Sequence, residues 1–147
     1  MFDEITDATL AKAGWFPGRS VSIDSWVALL SAEGIEVHRA AAEFLAEFGG
    51  LVAEHEGPGI SRARESFDFD PEACVGEGDR FIEWSQDLGR EIVPVGSLDD
   101  GRFFLGLDEN SELYSVEAFV ASFGRMPSGM INLVRGVMPE VVDETEV

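Results

Sequence analysis

The chain has 147 residues, 45% of them apolar, with eleven Phe and three Trp. A chain of this length buries roughly two-thirds of its unfolded surface without staples, so one folded domain is expected and disorder is excluded. Its 29 acidic residues face only 10 basic ones, a net charge of −19; such a surface repels nucleic acid and anionic membranes, whose binding relies on cationic side chains.

Cys74 is the single cysteine, so no intrachain disulfide forms. No stretch approaches the roughly 20 apolar residues of a membrane span. The first ten residues lack the basic and apolar regions of a signal peptide. A soluble cytoplasmic protein is expected.

A short helix is predicted from about Asp3 to Ala13, stopped by Gly14. The segment Trp15-Phe16-Pro17-Gly18-Arg19 reads as a turn pinned to the core by its two aromatics, with Arg19 positioned to pair with a carboxylate at the core edge. Asp24 or Ser25 caps a second helix, whose apolar face holds Trp26, Leu29 and Leu30 before Gly34 ends it. A third helix starts near His38. Its residues Ala41, Phe44, Leu45 and Phe48 fall at i, i+3, i+4 and i+7, one apolar face, and the Gly49-Gly50 pair terminates it.

Leu51–Glu54 is a candidate strand, and residues 55–64 read as a loop around Gly57-Pro58-Gly59. Glu65–Asp70 alternates: Phe67 and Phe69 point inward while Asp68 and Asp70 take the wet face, and Pro71 stops the strand. A helix from Asp79 places Phe81, Trp84 and Leu88 on its apolar side and ends at Gly89. Glu91–Leu98 is a strand whose Pro94 cannot donate to a ladder. Asp99-Asp100-Gly101 forms a hairpin turn; Phe103, Leu105 and Leu107 alternate along the next strand. After a turn over Asp108–Ser111, Leu113–Val116 is a further strand. A last helix spans about Ser128–Arg135, and the acidic end of the chain is expected to fray. This order predicts a single α+β domain, a mostly antiparallel sheet flanked by helices, over residues 1–136, followed by an acidic tail over 137–147.

Signatures of chemistry are sparse. No phosphate-binding loop and no Gly-x-Ser-x-Gly elbow is present. Cys74 with His38 or His55 would make a minimal nucleophile–base pair, but a small buried apolar role fits Cys74 better. His38, His55 and Cys74 lack zinc-ligand number and spacing. The Asp68–Asp70 pair fails as a calcium loop, since Ala73 stands where that loop needs Gly. No catalytic residue, metal or cofactor is therefore assigned. The acids are concentrated instead: residues 65–112 hold fourteen against three arginines, which suits docking to a basic protein or simple solubility. Trp84 lies on a core face. Tyr114 suits either a core or an interface.

Five segments, in order, carry a family resemblance: Ala13–Arg19 (AGWFPGR), Glu43–Leu51 (EFLAEFGGL), Phe67–Pro71 (FDFDP), Leu88–Gly96 (LGREIVPVG) and the Leu105–Tyr114 strand pair. Together they resemble the SUKH superfamily of bacterial immunity proteins, specifically its SUKH-3 branch. The Gly that such proteins usually carry before the Tyr-bearing strand is missing from Asp108–Tyr114, and Asn110, which tolerates positive φ, is expected to replace it. The resemblance implies an α+β fold and a non-enzymatic protein that binds and neutralises a cognate polymorphic toxin. Nucleases and deaminases are common among such toxins, and their basic surfaces suit an acidic inhibitor. The expected toxin contacts are Asp68, Asp70, Asp99, Asp100, Asp108, Glu109 and Tyr114. The alternative is a regulatory or scaffolding protein-binding module of the wider superfamily; an enzyme acting through Cys74 or a carboxylate pair has little support.

Overall fold

The computed structural model describes residues 2–144. Five helices, α1 (Glu4–Lys12), α2 (Asp24–Ala32), α3 (Arg39–Phe48), α4 (Gly78–Leu88) and α5 (Ser128–Arg135), accompany nine strands. Seven strands form one sheet in the order β1 (Val52–Ala53), β4 (Phe67–Asp68), β5 (Val93–Leu98), β6 (Phe103–Leu107), β7 (Glu112–Val116), β8 (Phe119–Arg125) and β9 (Glu140–Glu144). Every neighbouring pair is antiparallel. The expected α+β class is the observed one. The stretch read as a loop over 55–64 contains a separate ribbon of β2 (Gly57–Pro58) and β3 (Ala63–Arg64), too short to show an alternating pattern.

The sheet is buried on both faces, which explains why β5 is buried at all six positions. One face packs Leu105, Leu107, Leu113 and Phe123 against Leu10 of α1, Phe44 and Phe48 of α3, and Met130 and Leu133 of α5. The other packs Tyr114, Val116 and Val120 against Phe81 and Trp84 of α4 and Leu30 of α2. Val93 and Val95 lie two apart yet join opposite cores. The pairing register of β5 shifts between Pro94 and Gly96, and an extra residue in a strand reverses which face the next side chain meets. Pro94, unable to donate to a ladder, sits at that irregularity.

The predicted apolar face of α3 holds, with Ala41, Phe44, Leu45 and Phe48 all buried. His38 caps it: its Nδ1 accepts from the Ala41 N–H at 3.1 Å, and its Nε2 lies 2.8 Å from the Glu91 carbonyl. The helix end differs from expectation. Gly49 keeps an ordinary negative φ, and Gly50 takes the positive one. Gly49 is required by space: a Cβ there would stand 2.4 Å from the Trp26 ring. Arg19 finds carbonyls rather than a carboxylate. Its guanidinium donates to Glu47 O at 2.6 Å and Gly49 O at 2.9 Å, the unpaired acceptors of a helix C-terminus. Trp15 donates its indole N–H to Glu47 Oε2 at 3.0 Å. The AGWFPGR segment is thus a clasp on the end of α3, with Trp15 buried and Phe16 exposed.

Three further differences have local causes. Helix α2 starts at Asp24 after Ile23, with no side-chain cap. Strand β8 carries Ala121, Ser122 and Gly124 among its apolar residues, and the pairings on both its sides shift register, so no clean period of two is present to read. The acidic end expected to fray pairs instead as β9 through Glu144; residues 145–147 lie outside the described residues.

Candidate partner-binding surface

The sheet distributes the seven residues expected to meet a partner over three places. Asp68, on β4, is half-buried; its carboxylate accepts from Ser97 Oγ at 2.5 Å and from the Asp70 N–H at 3.1 Å. Asp70 caps the 3-10 turn Pro71–Cys74 by accepting from the Glu72 N–H at 3.0 Å. These carboxylates hold local structure rather than standing on an unused wet face.

Asp99 and Asp100 occupy the β5–β6 turn, both at positive φ. Asp99 is bridged to Arg102 at 3.5 Å and lies against Glu65, whose carboxyl is held above its ordinary pKa by burial and by a hydrogen bond with Asp99. Asp100 is exposed.

Asp108, Glu109 and Tyr114 lie at the opposite end of β6, a five-residue strand spanning roughly 17 Å at about 3.4 Å per residue. The seven residues therefore do not converge. Asp108 is 1% exposed and Tyr114 not at all, so neither of these two expected contacts stands on the surface. Asp108 Oδ1 accepts from the N–H groups of Asn110 (2.8 Å) and Glu112 (3.0 Å), and Oδ2 accepts the Tyr114 hydroxyl at 2.8 Å. Arg90 donates to the same hydroxyl oxygen. Burial, then the Asp108 hydrogen bond and charge, push the Tyr114 pKa upward, so the phenol stays protonated as a donor. In that turn Ser111, not Asn110, takes the positive φ. Glu109 is exposed and accepts from the Glu91 N–H at 2.9 Å.

A surface absent from the expected contacts is more coherent. On α4, Asp79, Glu83 and Asp87 recur every four residues and are all exposed, one row along the helix about 12 Å long at 1.5 Å per residue. Beyond the helix end, exposed Glu91 and Glu109 add two further acids, joined by the Glu91 N–H donating to the Glu109 carboxylate. Like charges at this spacing destabilise a helix slightly. Among the described residues no salt bridge engages the row. Its nearest arginines turn away: Arg80 pairs with Glu77, donates to Glu117 O and stacks on Trp84 at 4.8 Å, and Arg90 reaches Tyr114. Arg19, Arg39, Arg62, Arg102 and Arg135 are likewise held by acceptors of the chain itself. The row thus carries no salt bridge among the described residues, while most arginines are paired with acceptors of the same chain. The row was legible in the sequence as acids at 79, 83 and 87, but the apolar positions of the same helix drew the reading.

The nucleophile reading fails on geometry. Cys74 is buried, its thiol donates to Gly96 O at 3.3 Å, and burial pushes its pKa up to about 12. His38 is engaged as a helix cap. Among the described residues, no three His, Cys, Asp or Glu side chains converge as metal ligands, and no helix is long and apolar enough to cross a membrane.

The chain is thus a single α+β domain, a seven-strand antiparallel sheet accompanied by five helices, with no assembled catalytic or metal site among the described residues. The SUKH-3 immunity protein family matches residues 2–136, and the chain belongs to that family. It is a non-enzymatic immunity protein, a class that neutralises a polymorphic toxin. Neither the curated proteins nor the solved structures yield a match.

Proposed function

We propose that this chain neutralises its cognate toxin by laying the acidic row of α4, together with Glu91 and Glu109, against a basic surface of that toxin, with Asp99 and Asp100 adding charge at the far end of the sheet. The observation that carries the reading is the row itself. Three like charges stand at i, i+4 and i+8 with no salt bridge among the described residues, beside arginines that point elsewhere. A basic active surface is what nucleases and nucleic-acid deaminases need to hold their substrate, and an acidic cover competes for it. Charge of this kind acts mainly on the rate of encounter and on partner choice.

The test is co-expression with the toxin domain encoded beside this chain, together with association kinetics across a salt series. Asp79→Lys/Glu83→Lys/Asp87→Lys is expected to lower the association rate by at least tenfold and to flatten its salt dependence. An unchanged rate and full protection would remove the α4 surface from the interface.

A further inference from the structure

The family match ends at Gly136, but the sheet does not. Residues 140–144 add β9 along the outer side of β8, with Ala121 facing Val141 and Ser122 facing Glu140. Among the described residues nothing pairs with the outer side of β9. Open edges invite further strands, and proteins usually blunt them with inward charges, proline or a cover. Here Pro139 precedes the strand and Glu140 opens it, which discourages a like-charged strand, yet the edge also carries apolar side chains. Phe119 is 38% exposed, Met138 58%, Val141 46% and Val142 38%, so four exposed large apolar side chains gather on β8, β9 and the segment entering it.

The two faces of the edge differ. On the side of α1, α3 and α5, Phe103, Phe119, Met138 and Val141 line an apolar groove of about 440 Å³. Glu65 stands at its margin, and Arg62, which borders it too, is committed to Glu65 and to the face of Phe103. Val142 lies with Glu140 and Glu112 around a second, more polar hollow that Arg125 and Asn132 of α5 also border. Val141 and Val142 are adjacent in the strand, and the ordinary alternation of side chains sends them toward separate hollows.

We infer that β9 is a docking edge that accepts an extended, cationic segment of the toxin as an eighth strand. Alternate side chains of that segment would enter the apolar groove, and the others would meet the acidic side. The inference rests on the toxin-binding reading above. Main-chain hydrogen bonds supply affinity in such strand addition, and pockets for alternate side chains supply specificity. Charge selects the occupant. Glu140 opens the strand, and Glu65 and Glu112 border the two hollows beside it, within a chain of net charge −19, so a second copy is repelled where a basic strand is attracted. Because β9 lies beyond the family match, it is suited to distinguishing one toxin from another.

The experiment uses the full chain, ¹⁵N-labelled, and three fluorescent seven-residue peptides: alternating Lys and Val, the same sequence N-methylated on alternate residues, and alternating Glu and Val. The first is expected to bind with amide shifts confined to residues 119–122 and 138–142. The second is expected to bind at least tenfold more weakly, having lost its backbone donors, and the third not at all. Val141→Lys is expected to weaken the first peptide at least tenfold with an unchanged thermal midpoint. Equal binding of the N-methylated peptide, or shifts along α4 instead, would overturn the inference. So would concentration-dependent self-association mapped to β9, which would assign the edge to a second copy. In co-expression, protection by wild type and equally by Val141→Lys at limiting expression would overturn the docking edge and leave the toxin-binding reading standing. Failure of wild type to protect would overturn that reading, and the peptide data would still decide the edge.

Discussion

Tyr114→Phe separates a structural tyrosine from a contact tyrosine. The substitution keeps the ring in its core and removes one oxygen. Asp108 Oδ2, 2.8 Å from that oxygen, loses its donor within a site where Asp108 is 1% exposed, and Arg90 loses its acceptor. Leaving a buried acceptor unsatisfied costs about 1–3 kcal/mol. The Arg90 end is partly exposed, with 37% of its side chain accessible, so water replaces the hydroxyl there and little is added. A total of about 2 kcal/mol corresponds to a fall in thermal midpoint of roughly 4–8 °C for a chain of this size. Urea and thermal unfolding followed by circular dichroism read this directly. The association rate with the toxin, measured well below the midpoint, is expected to be unchanged. A loss under about 0.5 kcal/mol together with a slower association would refute the structural role and return Tyr114 to the interface.

Arg19→Met should cost about 2 kcal/mol in urea unfolding, since it strips charged donors from two carbonyls at the end of α3; an effect near zero would show that water serves those carbonyls equally well. Gly49→Ala drives a methyl into the Trp26 ring and should cost about 1–3 kcal/mol, with part of the loss recovered by Trp26→Leu in the same unfolding assay. Burial, then the Arg64 charge, hold His55 below its ordinary value of 6.5. The unfolded chain therefore takes up the proton more readily, and the stability carried by neutral His55 is complete above 6.5 and lost as pH falls through that value toward the folded one. Wild type should lose more stability than His55→Gln between pH 8 and pH 5; equal losses would refute the assignment. Cys74, pushed up to about 12 and buried, should resist a thiol reagent in native buffer and react fully in denaturant.

Most helices were legible in the sequence because each couples an apolar face to a terminator: Phe44, Leu45 and Phe48 before the Gly49-Gly50 pair, and Phe81 and Trp84 before Gly89. The central hairpins were legible from the Asp99–Gly101 and Asp108–Ser111 turns. Strand β8 was not, because its shifted registers break the alternation on which strand reading depends, and β9 was hidden by acids that read as a solvated tail. The expected contact residues were chosen by charge and by position in turns. That criterion cannot separate Asp100, which faces water, from Asp108, whose carboxylate is saturated by its own turn and by Tyr114. The separation depends on which backbone N–H groups the fold brings within reach.

The inward commitment of the arginines has a consequence for how the protein changes over time. Arg19 holds a helix end, Arg90 holds a buried phenol, and Arg135 ties Asp3 to the last helix at 3.1 Å, so replacing any of these cations disturbs the scaffold. No salt bridge or side-chain hydrogen bond among the described residues ties down Asp79, Glu83 or Asp87. Substitution at Glu83 or Asp87 therefore carries little structural penalty, and reversing one of the row's like charges relieves repulsion, whereas Asp79 also favours the first turn of α4. The outer charge of α4 can therefore change one residue at a time while the arginine-held scaffold stays intact.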